Sequence, residues 1–397
     1  MSLPTLPVVD LDLFLSQTTA SEAVVQECKK AADALITYGA LILHDSRVSE
    51  DDNTAFLDLL EDYFNQPLPD LQKDECPELG YQVGVTLENT EKPSCAVHAP
   101  CLAVIAGLEP SERPLDITAH QPDPKCRFFW KMGAQPPYKT LFPSLNAQNV
   151  VPQSEDIKKR WEPIMEKWGK SMKDAVENLA EMAAIGLGLS RDTFTEAGRY
   201  GPHLLAPTAS DLRKYYEKDT ILAGFHTDLN FLTIHGRSRY PGLHIWARNT
   251  GKRIPVKFPA TGRYLLVQAG KQLEHITGGL VKAGYHEVVV NENTVEVCTI
   301  FRRDTEIANG SLGVQTIQRR KRENPDRPLI RISSTFFWHL SSDYDLVPIP
   351  SLADRAKAIR ANEFDLGKMV EVEEPLYEPM KVGQQVQNEL RHIALMA

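Results

Sequence analysis

The chain has 397 residues, 42% of them hydrophobic and 24% charged, with a net charge of −9. That length and apolar content supply a sizeable core in two or three domains, or in one β domain with helical additions, and the acidic balance argues against a nucleic-acid-binding surface. No stretch approaches the roughly 18 uninterrupted apolar residues of a membrane span, and Met1-Ser-Leu-Pro-Thr-Leu-Pro7 lacks a basic segment followed by an apolar run, so no secretory leader is expected.

From the amino terminus, Leu6 to Asp10 begins as a short apolar strand and turns toward a helix. Ser21 to Leu35 repeats apolar residues at helical spacing, with Ser21 as N-cap. Gly39 to His44 reads as a buried strand, and Thr54 to Phe64 as a second helix. Positions 66–150 are rich in Pro, Gly and polar residues without a clear period, which predicts loops at a substrate mouth. The strongest helix runs from Ser154 to Leu187, where Ile157, Trp161, Ile164, Trp168, Met172, Val176 and Leu179 mark one stripe. Pro163 is expected to kink it, and its tryptophans to lie in the core. From about 212 the pattern changes to short strands: Leu212–Tyr216, Leu222–Phe225, Phe231–His235, Gly242–Trp246, Ile254–Lys257, Arg263–Gln268, His286–Val290 and Ile330–Leu340. Gly-containing turns separate them, which indicates a β sandwich or barrel. A surface helix is expected at Gln384 to Leu395.

The six cysteines are scattered, which favours a reducing compartment and a cytoplasmic protein. Cys95-x-x-His98-x-x-Cys101 lacks a paired fourth zinc ligand and reads as a loop that happens to hold soft residues.

The chemistry-bearing stretch is His226-Thr227-Asp228, set between two apolar strands. A His and a carboxylate two residues apart in extended backbone point to the same side and can reach one cation. Far downstream, Gly284-Tyr285-His286 places a second His at the start of an apolar strand. Two imidazoles and one carboxylate form a facial triad that leaves coordination sites open and suits Fe(II), whereas a structural zinc wants a fourth protein ligand.

With these residues the chain resembles the Fe(II)- and 2-oxoglutarate-dependent oxygenases of the isopenicillin N synthase-like superfamily. The resemblance extends to Leu6–Asp10, Gly39–His44, Pro241–Trp246, Gln268–Glu274 and Thr277–Gly279. It implies a mainly β protein: a double-stranded β-helix (jelly-roll) core with flanking helices, braced by the long helix and preceded by a helical N-terminal region. The corresponding divisions are 1–150 for the N-terminal α/β region with its mouth loops, 151–211 for the bracing helix, 212–350 for the core and 351–397 for a helical tail.

The resemblance also implies that His226, Asp228 and His286 hold iron, and that O2 is consumed as 2-oxoglutarate is converted to succinate and CO2. The family's Arg-x-Ser signature is not at its usual spacing, where Glu296 and Cys298 stand instead. Arg331-Ile332-Ser333 matches it locally, which makes about 295–329 an insertion carrying the basic run Arg319–Arg322. By this match Arg331 and Ser333 bind the far carboxylate of 2-oxoglutarate through a guanidinium fork and a hydroxyl, with Arg302 or Arg303 as rival anchors. Lys214-Tyr215-Tyr216 resembles the family's Asn-x-Tyr-Pro element, and Tyr216, or else Tyr215, would bond the same carboxylate.

The implied activity is oxidation of a small organic molecule by hydroxylation, desaturation or cyclisation. An iron oxidase that does not use 2-oxoglutarate, ethylene formation from 2-oxoglutarate, and a non-catalytic jelly-roll binding protein remain alternatives. Segments Arg127–Trp130 and Gly201–Leu205, together with Tyr81, are candidate substrate contacts. His235, His244 and His275 read as structural residues, and the face of His339 is left open.

Overall fold

The computed structural model describes residues 5–16, 21–96, 98–116, 121–259, 263–303, 327–365 and 377–392. Strand β1 (Val8–Asp10) lies parallel to β2 (Ala40–His44), and the crossover between them carries helices Leu11–Ser16 and Glu22–Tyr38. The second helix stops at Gly39, whose φ of +68° costs a glycine little and lets its N–H donate back to the Leu35 carbonyl at 3.0 Å. Helix Glu50–Phe64 follows, and the Ser49 hydroxyl at its N-cap accepts from the Asp52 N–H.

The region read as loops contains β3 (Gly84–Thr86), helix Ala99–Gly107 and β4 (Cys126–Lys131). Next come the long helix Glu155–Gly186, β5 (Leu204–Leu205), β6 (Thr208–Asp211), β7 (Ile221–His226) and β8 (Leu232–His235). β9 (Leu243–Trp246), β10 (Arg253–Pro255) and β11 (Tyr264–Ala269) precede helix Lys271–Ile276 and β12 (Tyr285–Val289). After helix Glu292–Arg303, β13 (Ile330–Ser333) and β14 (Thr335–Trp338) complete the main strands; helices Pro350–Asp365 and Val382–His392 follow.

The strands form two main sheets. The larger has ten strands in the order β1-β2-β11-β8-β14-β5-β4-β6-β13, with β3 on β4; the smaller runs β10-β9-β12-β7. Apart from the β1–β2 pair, the ladders of both sheets are antiparallel. The expectation of a mainly β protein is therefore corrected to a mixed one, because helices occupy much of the N-terminal half and both flanks.

The long helix lies against β8 and β14 and buries its apolar stripe, as its spacing predicts. It runs through Pro163, which is accommodated inside the helix. Trp161 is wholly buried, its ring 4.9 Å from Tyr63 and 4.6 Å from Phe128, and Trp168 donates its indole N–H to the Ser334 hydroxyl at 2.7 Å. One continuous apolar cluster runs from Val9 to Leu390, so the amino-terminal helices and the large sheet share a core.

Two strand predictions shift. Leu212–Tyr216 is a turn, and the strand lies just before it at Thr208–Asp211. Ile330–Leu340 breaks at Ser334: β13 pairs with β6, while β14 pairs with β5 and β8. The Trp168 indole and the Gly236 N–H both bond Ser334, so its side chain and carbonyl serve tertiary contacts at the break. The expected insertion opens as a helix to Arg303; Arg319–Arg322 lies outside the described residues, as does the end of the predicted Gln384–Leu395 helix.

Since Trp161 fills the junction of helix Glu50–Phe64, β4 and the long helix, Trp161→Ala should destabilise the fold by about 3–5 kcal/mol, measured by equilibrium urea unfolding.

Candidate active site

β7 and β12 are antiparallel neighbours, and their register sets His226 directly opposite His286. The ring centroids lie 4.2 Å apart. Asp228, two residues past the end of β7, turns into the same space, with Oδ1 3.8 Å from the Nε2 atoms of both histidines. The three potential ligand atoms all fall within 4.8 Å of one another. The sequence-predicted triad is thus brought together at one point.

Two of its members are held by neighbours. His226 Nδ1 lies 2.6 Å from the Gly224 carbonyl, which makes that nitrogen the protonated one and leaves Nε2 with its lone pair toward the cluster. The Thr233 hydroxyl on β8 donates to Asp228 Oδ2 at 2.7 Å, turning Oδ1 to the histidines. Burial would push the Asp228 carboxyl up, but His286, His226 and the Thr233 bond outweigh it and hold the group below the usual carboxylate range. Burial, reinforced by His226, pushes His286 down to about 3, so its imidazole is neutral and a free donor near neutral pH.

These residues line a cleft of about 1260 Å3 including its open mouth. Ser333, Thr335 and His235 form its wall beside the triad. Behind them Arg331, 5% exposed, donates from one terminal nitrogen to the Ser333 hydroxyl at 2.6 Å and from Nε to the Pro241 carbonyl at 3.2 Å. Among the described residues it has no carboxylate partner, and burial lowers the guanidinium to about 10. A buried cation with neutral partners costs several kcal/mol that an ionised acid beside it would offset. Tyr216 does not line this cleft. With Tyr215 it packs against Leu212, Leu222 and Tyr240, in a cluster whose members Leu243 and Val288 form the cleft wall. The side chains of Arg302 and Arg303 lie outside what the structure describes.

Of the segment read as loop contacts, alternate residues divide as a strand requires. Arg127 and Phe129 face the cleft, whereas Phe128 and Trp130 enter the core, where Trp130 donates to Glu166. In Gly201–Leu205 it is Leu204 that reaches the cleft; His203 is buried and stacks on Trp338 at 5.1 Å. Gln82, not Tyr81, lines the mouth. Cys95 and Cys101, set aside as zinc ligands, are joined as a disulfide beside Phe225 and Trp246.

His235, read as structural, is a cleft residue: its ring nitrogens meet the Gln268 amide at 3.0 Å and the Thr335 hydroxyl at 3.2 Å, and it lies 6.3 Å from His286. Glu91, Asp123 and Lys125 also line the cleft and escaped notice in the sequence. The signal that would have found two of them is the alternation Asp123-x-Lys125-x-Arg127 leading into β4, which puts three charges on one face.

Buried neutral histidines make the fold acid-sensitive. Burial lowers His339 to about 3, so between the ordinary value of 6.5 and that value the unfolded chain binds a proton that the folded one does not. The stabilisation is complete above pH 6.5 and drains away as pH falls. In metal-free protein, urea unfolding at pH 7 and pH 5 should show His339→Gln losing about 2 kcal/mol less than wild type.

No family model matches the chain. Flavonol synthase/flavanone 3-hydroxylase of Petunia hybrida is 26% identical over 130 residues, 32% of this chain and 36% of that protein. Azadirone synthase LFS of Melia azedarach is 24% identical over 157 residues, 37% of this chain and 46% of that protein. The match thus spans less than half the length of either curated relative. A full-length Neurospora crassa protein, solved in complex with alpha-KG, superposes with a TM-score of 0.65 at 16% identity, covering 97% of this chain and 95% of that one. A Caulobacter crescentus protein assigned to the 2OG-Fe(II) oxygenase family gives 0.64 at 20% identity, covering 98% and 99%. The chain has the fold of the 2OG-Fe(II) oxygenases, as the motifs between Leu6 and Ser333 implied.

Proposed function

We propose that this protein is an Fe(II)- and 2-oxoglutarate-dependent oxygenase that oxidises a small organic molecule, with the two sheets acting as the halves of a double-stranded β-helix. The observation that carries the reading is Arg331: a buried guanidinium without an acid partner among the described residues, bonded to Ser333 on the wall of the cleft that holds His226, Asp228 and His286. It supports a dicarboxylate co-substrate; an iron oxidase that uses none would need a carboxylate on its own substrate to fill the same position. A neighbouring structure that holds alpha-KG supports it.

The donor set fits the metal. Two imidazoles and one carboxylate are a donor set that suits Fe(II), and His226, Asp228 and His286 would hold it while leaving room for further ligands. When bound, iron activates O2 for oxidative decarboxylation of 2-oxoglutarate to succinate and CO2 and for oxidation of a nearby C–H bond. The chain's own residues do the rest. Thr233 fixes the carboxylate of Asp228, and Gly224 fixes the ring of His226. Arg331 and Ser333 grip the far carboxylate of the co-substrate, which sets its length across the wall toward the triad. His235, tied at both nitrogens, keeps the wall between them rigid and dry. Tyr216 packs in the cluster behind Leu243 and Val288, and hydroxylation, desaturation and cyclisation are all compatible outcomes.

Fe(II) protein given 2-oxoglutarate and O2 should form succinate, read by mass spectrometry, and Asp228→Ala should form none. Arg331→Gln should weaken 2-oxoglutarate binding by about 2–5 kcal/mol, roughly 30-fold to several-thousand-fold, while retaining metal in anaerobic calorimetry. Wild-type 2-oxoglutarate affinity matched by Arg331→Gln would sink the assignment.

A further inference from the structure

The wall of the cleft away from Arg331 is charged in a different way, and the inference drawn from it rests on the oxygenase reading above. Arg127 and Phe129 face the cleft from β4, with the guanidinium carbon 3.8 Å from the ring centroid. Arg127 is ion-paired with Glu91. The other oxygen of Glu91 meets Lys125 Nζ at 3.1 Å, and Lys125 reaches Asp123 at 2.9 Å. Asp123 in turn accepts from the Gly224 N–H, two residues before His226, at 3.2 Å. Glu91, Asp123 and Arg127 are all more than nine-tenths buried.

Two acids and two bases therefore cancel on one wall. A carboxylate approaching Arg127 meets Glu91 on the same guanidinium, and an ammonium approaching Glu91 meets Arg127 and Lys125. An ion entering here loses its hydration without gaining an unmatched counter-charge, which costs more than leaving it in water. The other charges at the cleft do not change this. Glu389 is held by Lys271 at 2.7 Å, and Lys92 is exposed, where water screens it. Between them the lining is uncharged and largely apolar, with Leu204, Leu243, Val288, Phe337, Val386 and Leu390 beside the polar Gln82, Thr208 and Asn230.

We propose that the substrate is an uncharged, largely apolar molecule, and that the Glu91–Arg127 pair enforces this by keeping the seat electrically neutral. Arg331 takes the anionic co-substrate; Arg127 is a specificity residue whose charge is already spent on Glu91.

The test uses protein loaded with Fe(II) and 2-oxoglutarate under argon, with binding of matched probes followed by saturation-transfer NMR. The probes are methyl 3-phenylpropanoate, 3-phenylpropanoate and 3-phenylpropylammonium. Wild type should take the ester at least roughly tenfold more tightly than either ion. Glu91→Gln leaves Arg127 without its counter-charge and should narrow the ester-to-carboxylate ratio by roughly tenfold. Arg127→Gln should narrow the ester-to-ammonium ratio instead.

Carboxylate binding to wild type as tight as that of the ester, no binding of any probe, or unchanged ratios in both folded variants each overturns the proposal. The wild-type ranking stands as a test even if a variant fails to fold. Metal and 2-oxoglutarate affinities are measured on the same samples by calorimetry. Their absence overturns the oxygenase reading, whereas their presence with the wrong probe ranking overturns the substrate class alone.

Discussion

The site depends on the register of one strand pair. β7 and β12 are antiparallel, and His226 stands opposite His286; because side chains alternate along a strand, a slip of one residue would send His286 to the far face of the sheet. What pins the register is ordinary. Val288 and Val289 pair with Ala223 and Ile221 across a local irregularity, and their side chains are buried in two separate apolar clusters. The bulge falls just after the histidine pair, a position where such irregularities re-aim side chains. Asp228 then needs little more than the turn into β8, where Thr233 waits to hold it.

A second constraint is the handling of buried charge. Two arginines stand in or behind the same cleft, and the fold treats them oppositely. Arg127 is matched by Glu91, with Lys125 and Asp123 extending the network. Arg331 has a hydroxyl and a carbonyl and, among the described residues, no acid. An unmatched cation in the interior is a standing cost that evolution has no reason to bear for stability. In the proposed chemistry that cost is offset whenever the co-substrate is bound.

The triad was legible because its parts obey local rules: a two-residue spacing at a strand end, and a third donor opening another apolar strand. Arg331-x-Ser333 was legible for the same reason, despite its displaced position. The strands flanking them were also found, but Ile330–Leu340 was read as one strand because nothing in its own residues announces the break. The break is made by Trp168 and Gly236, distant partners of Ser334. Glu91 was invisible in a different way. Its role is defined by Lys125 and Arg127, more than thirty residues on, and a charge in a Pro- and Gly-rich stretch looks solvated until the fold buries it. Arg127 and Phe129 were singled out, but as loop residues; the strand separates them from Phe128 and Trp130 by the alternation that a loop reading cannot supply.

The two halves of the cleft come from widely separated parts of the chain. Glu91, Asp123, Lys125, Arg127 and Phe129 belong to the first third, whereas the triad, His235 and Ser333, with Arg331 behind them, come from the later part of the chain. On the proposed reading, the charge filter and the redox chemistry therefore sit on separate stretches of chain, while the apolar seat belongs to the later one. Substitutions in the early segment can change which charge the cleft admits while the metal-binding residues stay as they are.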